Sequence, residues 1–373
     1  MEKKKINIRN LVTSVTFLVV IFGLFVASII SPDALYSLTE RRTLAQFPEL
    51  STETLLNGKF TGSFEGYTLD QFPERDSFRK LKAFYFMNIM NRGQVNKYYT
   101  ADGYIDKLEY PKNQAAFDNA FAIFKDVNDK FLKGTDCNVY LSLIPDKNYF
   151  MAAQNGYLSF DYDKITEEVK TNMPYATYID IYNTLSLKNY YYTDQHWKQE
   201  TLMPTVRALL AGMGKETNAE YDIVKVEKDF YGTYYGPSTF DKTSPDVIQY
   251  LTNDTIKNCK VTSYDSGMGK KTSVYTLADL EGNDMYDVYL GGPDALIVIE
   301  NPNATTDAEL VIFRDSFGSS ISPLLIDAYA KITLVDFRYV NYNALNAFVK
   351  FENQDVLYLF STLIMNNSLT FKK

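Results

Sequence analysis

Five short apolar runs constrain the fold of this chain more tightly than any other feature. Residues 138–144 (Asn-Val-Tyr-Leu-Ser-Leu-Ile) read as a buried strand, and four more strand signals follow in quick order at 295–300, 309–313, 331–335 and 355–360. Helical patterns separate them. Residues 113–132 place Phe117, Phe121, Phe124, Val127 and Phe131 at helical spacing, a core face closed by Gly134. Residues 165–173, 198–213 and 321–330 read as further helices, and 178–182 as a short strand. Strands alternating with helices predict an α/β fold, a mainly parallel sheet with helices on both faces. In such sheets functional groups gather just beyond the carboxyl ends of the strands. The loop Pro145-Asp146-Lys147-Asn148 lies at one such end.

Ahead of this pattern, residues 11–30 are twenty consecutive residues without a charge, long enough to cross a bilayer as a helix. Lys3, Lys4 and Lys5 precede them, which predicts a cytoplasmic N-terminus and an exported remainder. A cleaved signal peptide is the rival reading, but the run is long for one and no small-x-small site precedes Ser31-Pro32. The expected organisation is therefore a basic tip and single-pass anchor over 1–31, an approach segment with a helix near 77–90 over 32–100, and an α/β domain over 101–373. The polar, turn-rich stretch from about 214 to 294 is expected to insert a β-rich subdomain into that domain.

Charge narrows the partners. The net charge is −8, and removing the first ten residues, four basic and one acidic, takes it to −11. An acidic body argues against a nucleic-acid partner. The 30 tyrosines suit either a sugar-binding surface or a tyrosine-rich core. Cys137 and Cys259 permit one disulfide or two free thiols; the place of Cys137 at the start of a core strand favours thiols.

His196, in Thr193-Asp194-Gln195-His196-Trp197, is the only histidine, so any imidazole chemistry must use it. Asp194 is positioned to fix its tautomer. The missing partner is a nucleophile, and Ser316 offers one in Phe313-Arg314-Asp315-Ser316-Phe317-Gly318, between a strand and a helix. That context exposes a hydroxyl and sets backbone N–H groups beside it; a serine there also serves as a helix cap. A metal site is disfavoured, because one His and two separated Cys leave mostly carboxylates as ligands.

The Thr193–Trp197 segment resembles the signature of the DHHW protein family, and Asp315-Ser316 resembles the Asp-Ser of the GDS block of SGNH hydrolases. The family is similar to the SGNH-like domains of the alginate O-acetylation proteins, in which an Asp-x-His-Trp motif also precedes the Asp-Ser motif. Further matching segments are Arg41-Arg42-x-Leu44, Asp70-x-Phe72-Pro73-x-Arg75-Asp76, Ile144-Pro145-Asp146-Lys147, Phe230-Tyr231-Gly232 and Phe337-Arg338-Tyr339. Gln195 replaces the first His of the family pattern, and Arg314 stands where the GDS block has Gly. The resemblance implies an SGNH hydrolase-like, flavodoxin-like sheet and a Ser-His-Asp site. Ser316 is the nucleophile there, His196 the base and then acid, and Asp194 the orienting carboxylate.

Around those three, Lys147 or Asn148 is expected to supply an oxyanion donor besides the Ser316 N–H. Arg338 either binds an acyl or sugar oxygen or pairs with an Asp, and Trp197 either packs the loop or stacks on a sugar. The implied activity is transfer of acetyl groups to a cell-surface or exported polysaccharide through an acetyl-serine, without a cofactor. A membrane-bound O-acetyltransferase would be the donor partner. An acetylesterase using the same residues, and a non-catalytic glycan-binding or assembly protein, are the alternatives. Protease added to intact cells is expected to degrade the domain beyond residue 31; protection of that domain would contradict export.

Overall fold

The computed structural model describes residues 7–240, 243–264 and 268–372. It divides into two compact units, residues 1–92 and 93–373. The basic tip, Lys3 to Lys5, lies outside the described residues.

In the first unit the uncharged run forms a helix, Ile8–Ile30, with no buried residue. At about 1.5 Å per residue its 23 residues reach about 35 Å, enough for a hydrocarbon core of about 30 Å. It is the one helix among the described residues long and apolar enough to cross a membrane. Helices Thr52–Leu56, Lys59–Asp70 and Arg75–Phe84 follow.

The second unit is built on an eight-stranded sheet. In chain order its strands are β1 (Asn138–Ile144), β2 (Thr177–Tyr178), β3 (Lys260–Ser263), β4 (Lys270–Thr272), β5 (Leu296–Glu300), β6 (Glu309–Arg314), β7 (Lys331–Val335) and β8 (Asp355–Ser361). Across the sheet the order is β4-β3-β5-β7-β6-β8-β1-β2. The five strands from β7 to β2 are parallel, and β5, β3 and β4 extend the β7 edge antiparallel. The central strands are apolar on both faces, as strands covered on both sides must be. In β6, Val311 and Phe313 enter one core and Leu310 and Ile312 the other; in β8, Val356, Tyr358 and Phe360 alternate with Leu357 and Leu359. Helices Gln114–Val127 and Tyr162–Asn172 cover the first face. Helix Met203–Gly212 and the segment after β6 cover the second.

The structure refines three readings. The helix foreseen at 321–330 starts earlier, as Phe317–Ile321, and continues as a 3-10 helix, Ser322–Ala328. Pro323 lacks the N–H for the next α-type bond, which tightens the turn. Within 214–294 the hairpin Asp222–Phe230 with Asp246–Thr252 forms a two-stranded sheet of its own, and β3 and β4 join the edge of the main sheet. The tyrosines pack in good part inside, since Tyr99, Tyr190, Tyr191, Tyr289, Tyr329 and Tyr358 are fully buried. Cys137 and Cys259 are both free.

Phe124 lies at the centre of the first core, its ring 5.2 Å from that of Phe360 and 4.9 Å from that of Tyr358. Phe124→Ala is expected to lower unfolding stability by about 3–5 kcal/mol, read by urea titration of the single tryptophan, Trp197.

Candidate active site

The carboxyl ends of β6, β8 and β1 deliver Asp315-Ser316, Ser361-Thr362 and Pro145–Asn148 to one edge of the sheet. Ser316 begins the helix Phe317–Ile321 and is half-buried, whereas Leu310–Asp315 and Phe317–Ile326 are all buried. Its turn is fixed from below. Asp315 accepts from the Phe317 N–H at 3.0 Å and, through its other oxygen, from the Ser361 N–H and hydroxyl at 2.8 and 2.6 Å. Gly318 is required because a Cβ there would stand 2.7 Å from the Cβ of Arg314.

The histidine loop crosses to meet this turn. His196 Nε2 is 2.7 Å from Ser316 Oγ, and its Nδ1 is 2.5 Å from Asp194 Oδ1. Asp194 is fully buried and saturated with donors: the His196 N–H at 2.9 Å on Oδ1, and the Thr233 N–H and hydroxyl at 2.6 and 2.9 Å on Oδ2. Burial alone would raise its pKa. Attraction to His196 and these hydrogen bonds outweigh it and hold the carboxyl well below the usual carboxylate range. An ionised Asp194 accepts only, so Nδ1 carries the ring proton and the Nε2 lone pair faces the Ser316 hydroxyl. The arrangement can draw a proton from that hydroxyl and return it to a leaving group.

Several neighbours that hold this geometry were not foreseen. Tyr286 stacks on the His196 ring at 3.9 Å and 7°. Its hydroxyl donates to Ser320 Oγ at 2.8 Å. Thr233 donates twice to Asp194, and Gly232 lies so close that a Cβ would meet the Asp194 Cβ at 2.2 Å. Asp246, on the hairpin, accepts from the Tyr192 N–H and from the Thr193 N–H and hydroxyl, each at 2.7 Å. The Thr193 hydroxyl oxygen accepts from the Gly232 N–H at 2.8 Å. Only Gly232 had a sequence signal, as the end of Phe230-Tyr231-Gly232.

Four expected substrate contacts are otherwise engaged. Trp197 is fully buried and its indole N–H donates to the Phe317 carbonyl and Ser320 Oγ, so it packs the loop and cannot stack on a sugar. Lys147 is buried and donates to the carbonyls of Ile105 and Tyr191. Asn148 is buried between the Tyr99 hydroxyl and the Lys107 carbonyl. Neither is a free oxyanion donor. Arg338 forms a bidentate pair with Asp336, which Arg314 also faces at 3.6 Å. Among the described residues no cluster of His, Cys, Asp and Glu is arranged to hold a metal.

Residues 148–335 match the family profile described as DHHW protein. No curated protein matches the chain. Among solved structures, a DHHW family protein from Eubacterium siraeum is 20% identical, with a TM-score of 0.58 over 74% of this chain and 95% of that one. Bacillus cereus PatB1 with a sulfonyl adduct is 19% identical, with a TM-score of 0.60 over 75% and 100%. A second PatB1 structure is 18% identical, with a TM-score of 0.54 over 74% and 99%. At these identities the likeness is one of fold.

Asp194→Asn tests the buried carboxylate. A depressed folded pKa contributes stability that is complete above the unfolded value, about 3.9, and is lost as pH falls toward the folded value. The wild type is therefore expected to exceed the variant in unfolding stability by a constant margin above about pH 5. That margin should shrink below about pH 4, by at most about 1.4 kcal/mol per pH unit.

Proposed function

The chain belongs to the DHHW protein family, and from that membership, together with the Ser316–His196–Asp194 array, we propose that it is an extracytoplasmic O-acetyltransferase for a cell-surface or exported polysaccharide. The observation carrying the proposal is the pair of contacts on His196, 2.7 Å to a half-buried hydroxyl and 2.5 Å to a buried carboxylate. A bystander histidine has no reason to be held between those two groups, and a capping serine none to face an imidazole lone pair. The order of the two motifs, Asp-x-His-Trp before Asp-Ser, adds the resemblance to polysaccharide O-acetylation proteins.

In the proposed cycle Ser316 Oγ attacks the carbonyl carbon of an acetyl donor while His196 Nε2 takes the hydroxyl proton. The tetrahedral intermediate collapses, the C–O bond to the donor breaks, and the departing oxygen takes the proton from His196. A glycan hydroxyl then attacks acetyl-Ser316, giving its proton to His196, which returns it to Ser316 Oγ as the acetylated glycan leaves. Asp194 stays ionised and steadies the imidazolium at each step. The Ser316 N–H, at the start of the helix Phe317–Ile321, supplies one donor to the oxyanion. With helix Ile8–Ile30 as its anchor the domain works outside the cytoplasm, away from soluble acetyl donors. A membrane-bound acetyltransferase would hand the acetyl group to Ser316.

Purified protein is expected to hydrolyse a chromogenic acetyl ester, with Ser316→Ala and His196→Ala each losing about 10⁴–10⁶-fold in kcat. An arylsulfonyl fluoride should sulfonylate Ser316 Oγ with loss of fluoride, read as a mass gain on the peptide holding Ser316. Full activity in Ser316→Ala would remove the nucleophile from the mechanism. Transfer is separated from hydrolysis by glycan O-acetyl content: cells lacking the protein should lose it, and cells carrying Ser316→Ala should resemble them. Unchanged or increased O-acetyl content would favour the esterase.

A further inference from the structure

Helix Arg75–Phe84, continued by a π-helical turn, Tyr85–Ile89, is amphipathic in the reverse sense to a helix of a soluble domain. Its buried residue is Ala83. Phe78, Leu81, Tyr85 and Ile89 form a continuous exposed stripe, joined at its edge by Phe84, with Leu81 and Ile89 each 61% exposed. Residues three and four apart share a helix face, so this is one surface and not scattered exposure. The exposed Lys80 and Lys82 flank it.

The place of this stripe along the chain identifies what covers it. The apolar helix ends at Ile30, and the chain is bonded to the rest of its unit almost at once. Tyr67 donates to Asp33 at 3.0 Å, and Gln71 receives the Ala34 N–H at 2.9 Å while its amide donates to the Ala34 carbonyl at 2.9 Å. Three residues of extended chain reach at most about 11 Å, so the C-terminal end of the helix Lys59–Asp70, from which the next helix continues, stays close to the point where Ile30 ends. Arg75–Phe84 follows it after four residues and belongs to the same unit.

We infer that the helix 75–89 lies in the bilayer interface, with Phe78, Leu81, Tyr85 and Ile89 among the upper acyl chains and its lysines at the headgroups. A helix with one apolar face and a polar, lysine-bearing flank binds there, its apolar face about 5–10 Å deep, and long basic side chains keep their charges in water beside it. The membrane is therefore a second contact of the chain besides the spanning helix, one that fixes the orientation of the unit as well as its distance. The inference rests on the reading of Ile8–Ile30 as an inserted span.

The full chain reconstituted in lipid vesicles tests it. Leu81→Trp and, independently, Ile89→Trp place a reporter at exposed positions, against the constant background of the buried Trp197; Val19→Trp reports the span. Lipids brominated near the headgroup end of the acyl chain should quench Leu81→Trp and Ile89→Trp more than lipids brominated near the terminal methyl. Val19→Trp should show the opposite order. Quenching of Val19→Trp alone would overturn the inference and leave the anchor standing, which is also the result if a protein partner covers the stripe. No quenching at any of the three positions would overturn the anchor and the interfacial helix together.

Discussion

A carboxylate out of contact with water organises the site. Taking Asp194 out of water costs several kcal/mol unless its lone pairs are met. They are met from two directions. His196 supplies a backbone N–H and a ring N–H from the same loop, and Thr233 supplies a backbone N–H and a hydroxyl from the turn that follows the first hairpin strand. The imidazole can only be oriented if the hairpin is in place, so the site is a property of the folded unit and not of the pentapeptide. Asp246 clips the preceding residues, Tyr192 and Thr193, to the other strand of that hairpin, and Thr193 returns a contact to Gly232. Gly232 lacks a side chain because the turn that carries Thr233 comes within 2.2 Å, measured from an added Cβ, of the Asp194 side chain.

The serine turn is held by a separate network, from the strands. Asp315 ties β6 to the end of β8 through Ser361, and the parallel register places those two ends side by side. The two networks meet at the contact between His196 Nε2 and Ser316 Oγ and in the packing around it. Trp197 binds the start of the helix Phe317–Ile321, and Tyr286, stacked on the imidazole, reaches the same Ser320 hydroxyl. One indole and one phenol therefore bolt the loop to the turn. Two rigid supports converging on a single hydrogen bond is the preorganisation that proton transfer needs.

Most of the sheet could be read in the sequence because its strands are buried on both faces. A short, mainly apolar run such as 138–144 or 331–335 has few other uses, and the structure starts and ends both strands at those residues. The short strand near 178 and the hairpin at 222–252 were harder, since little of their stability is local. Ser316, His196 and Asp194 could be singled out as candidates from few residues: one histidine, one Asp two residues before it, and a Ser in a strand–helix turn. Lys147 and Asn148 read toward the cleft, and Trp197 and Arg338 read as either cleft or brace, for one reason. A polar or aromatic residue at a strand end serves a cleft or braces the loops around it, and spacing does not distinguish the two; here buried carbonyls, a buried tyrosine and Asp336 had the stronger demand. Thr233 and Tyr286 left no local trace, because what makes them important is 39 and 90 residues away in the chain.

Helical periodicity carries the same ambiguity. Residues 113–132 and 77–90 both show apolar residues at helical spacing, yet Phe117, Phe121 and Phe124 are buried against the sheet while Phe78, Leu81 and Phe84 face outward. A period of 3.6 establishes that a helix has an apolar side and leaves open what covers it. For 114–127 the cover is the strands that the same chain provides. For 75–89 no strand of the same unit covers the stripe, and on the interfacial inference the cover is the bilayer that helix Ile8–Ile30 would cross. On that inference, tethering through the span would raise the effective concentration of the acyl region around the stripe, so that a weak interfacial affinity would suffice. The exposed stripe would be a liability on a freely diffusing protein; within reach of a bilayer it would become a second point that orients the unit.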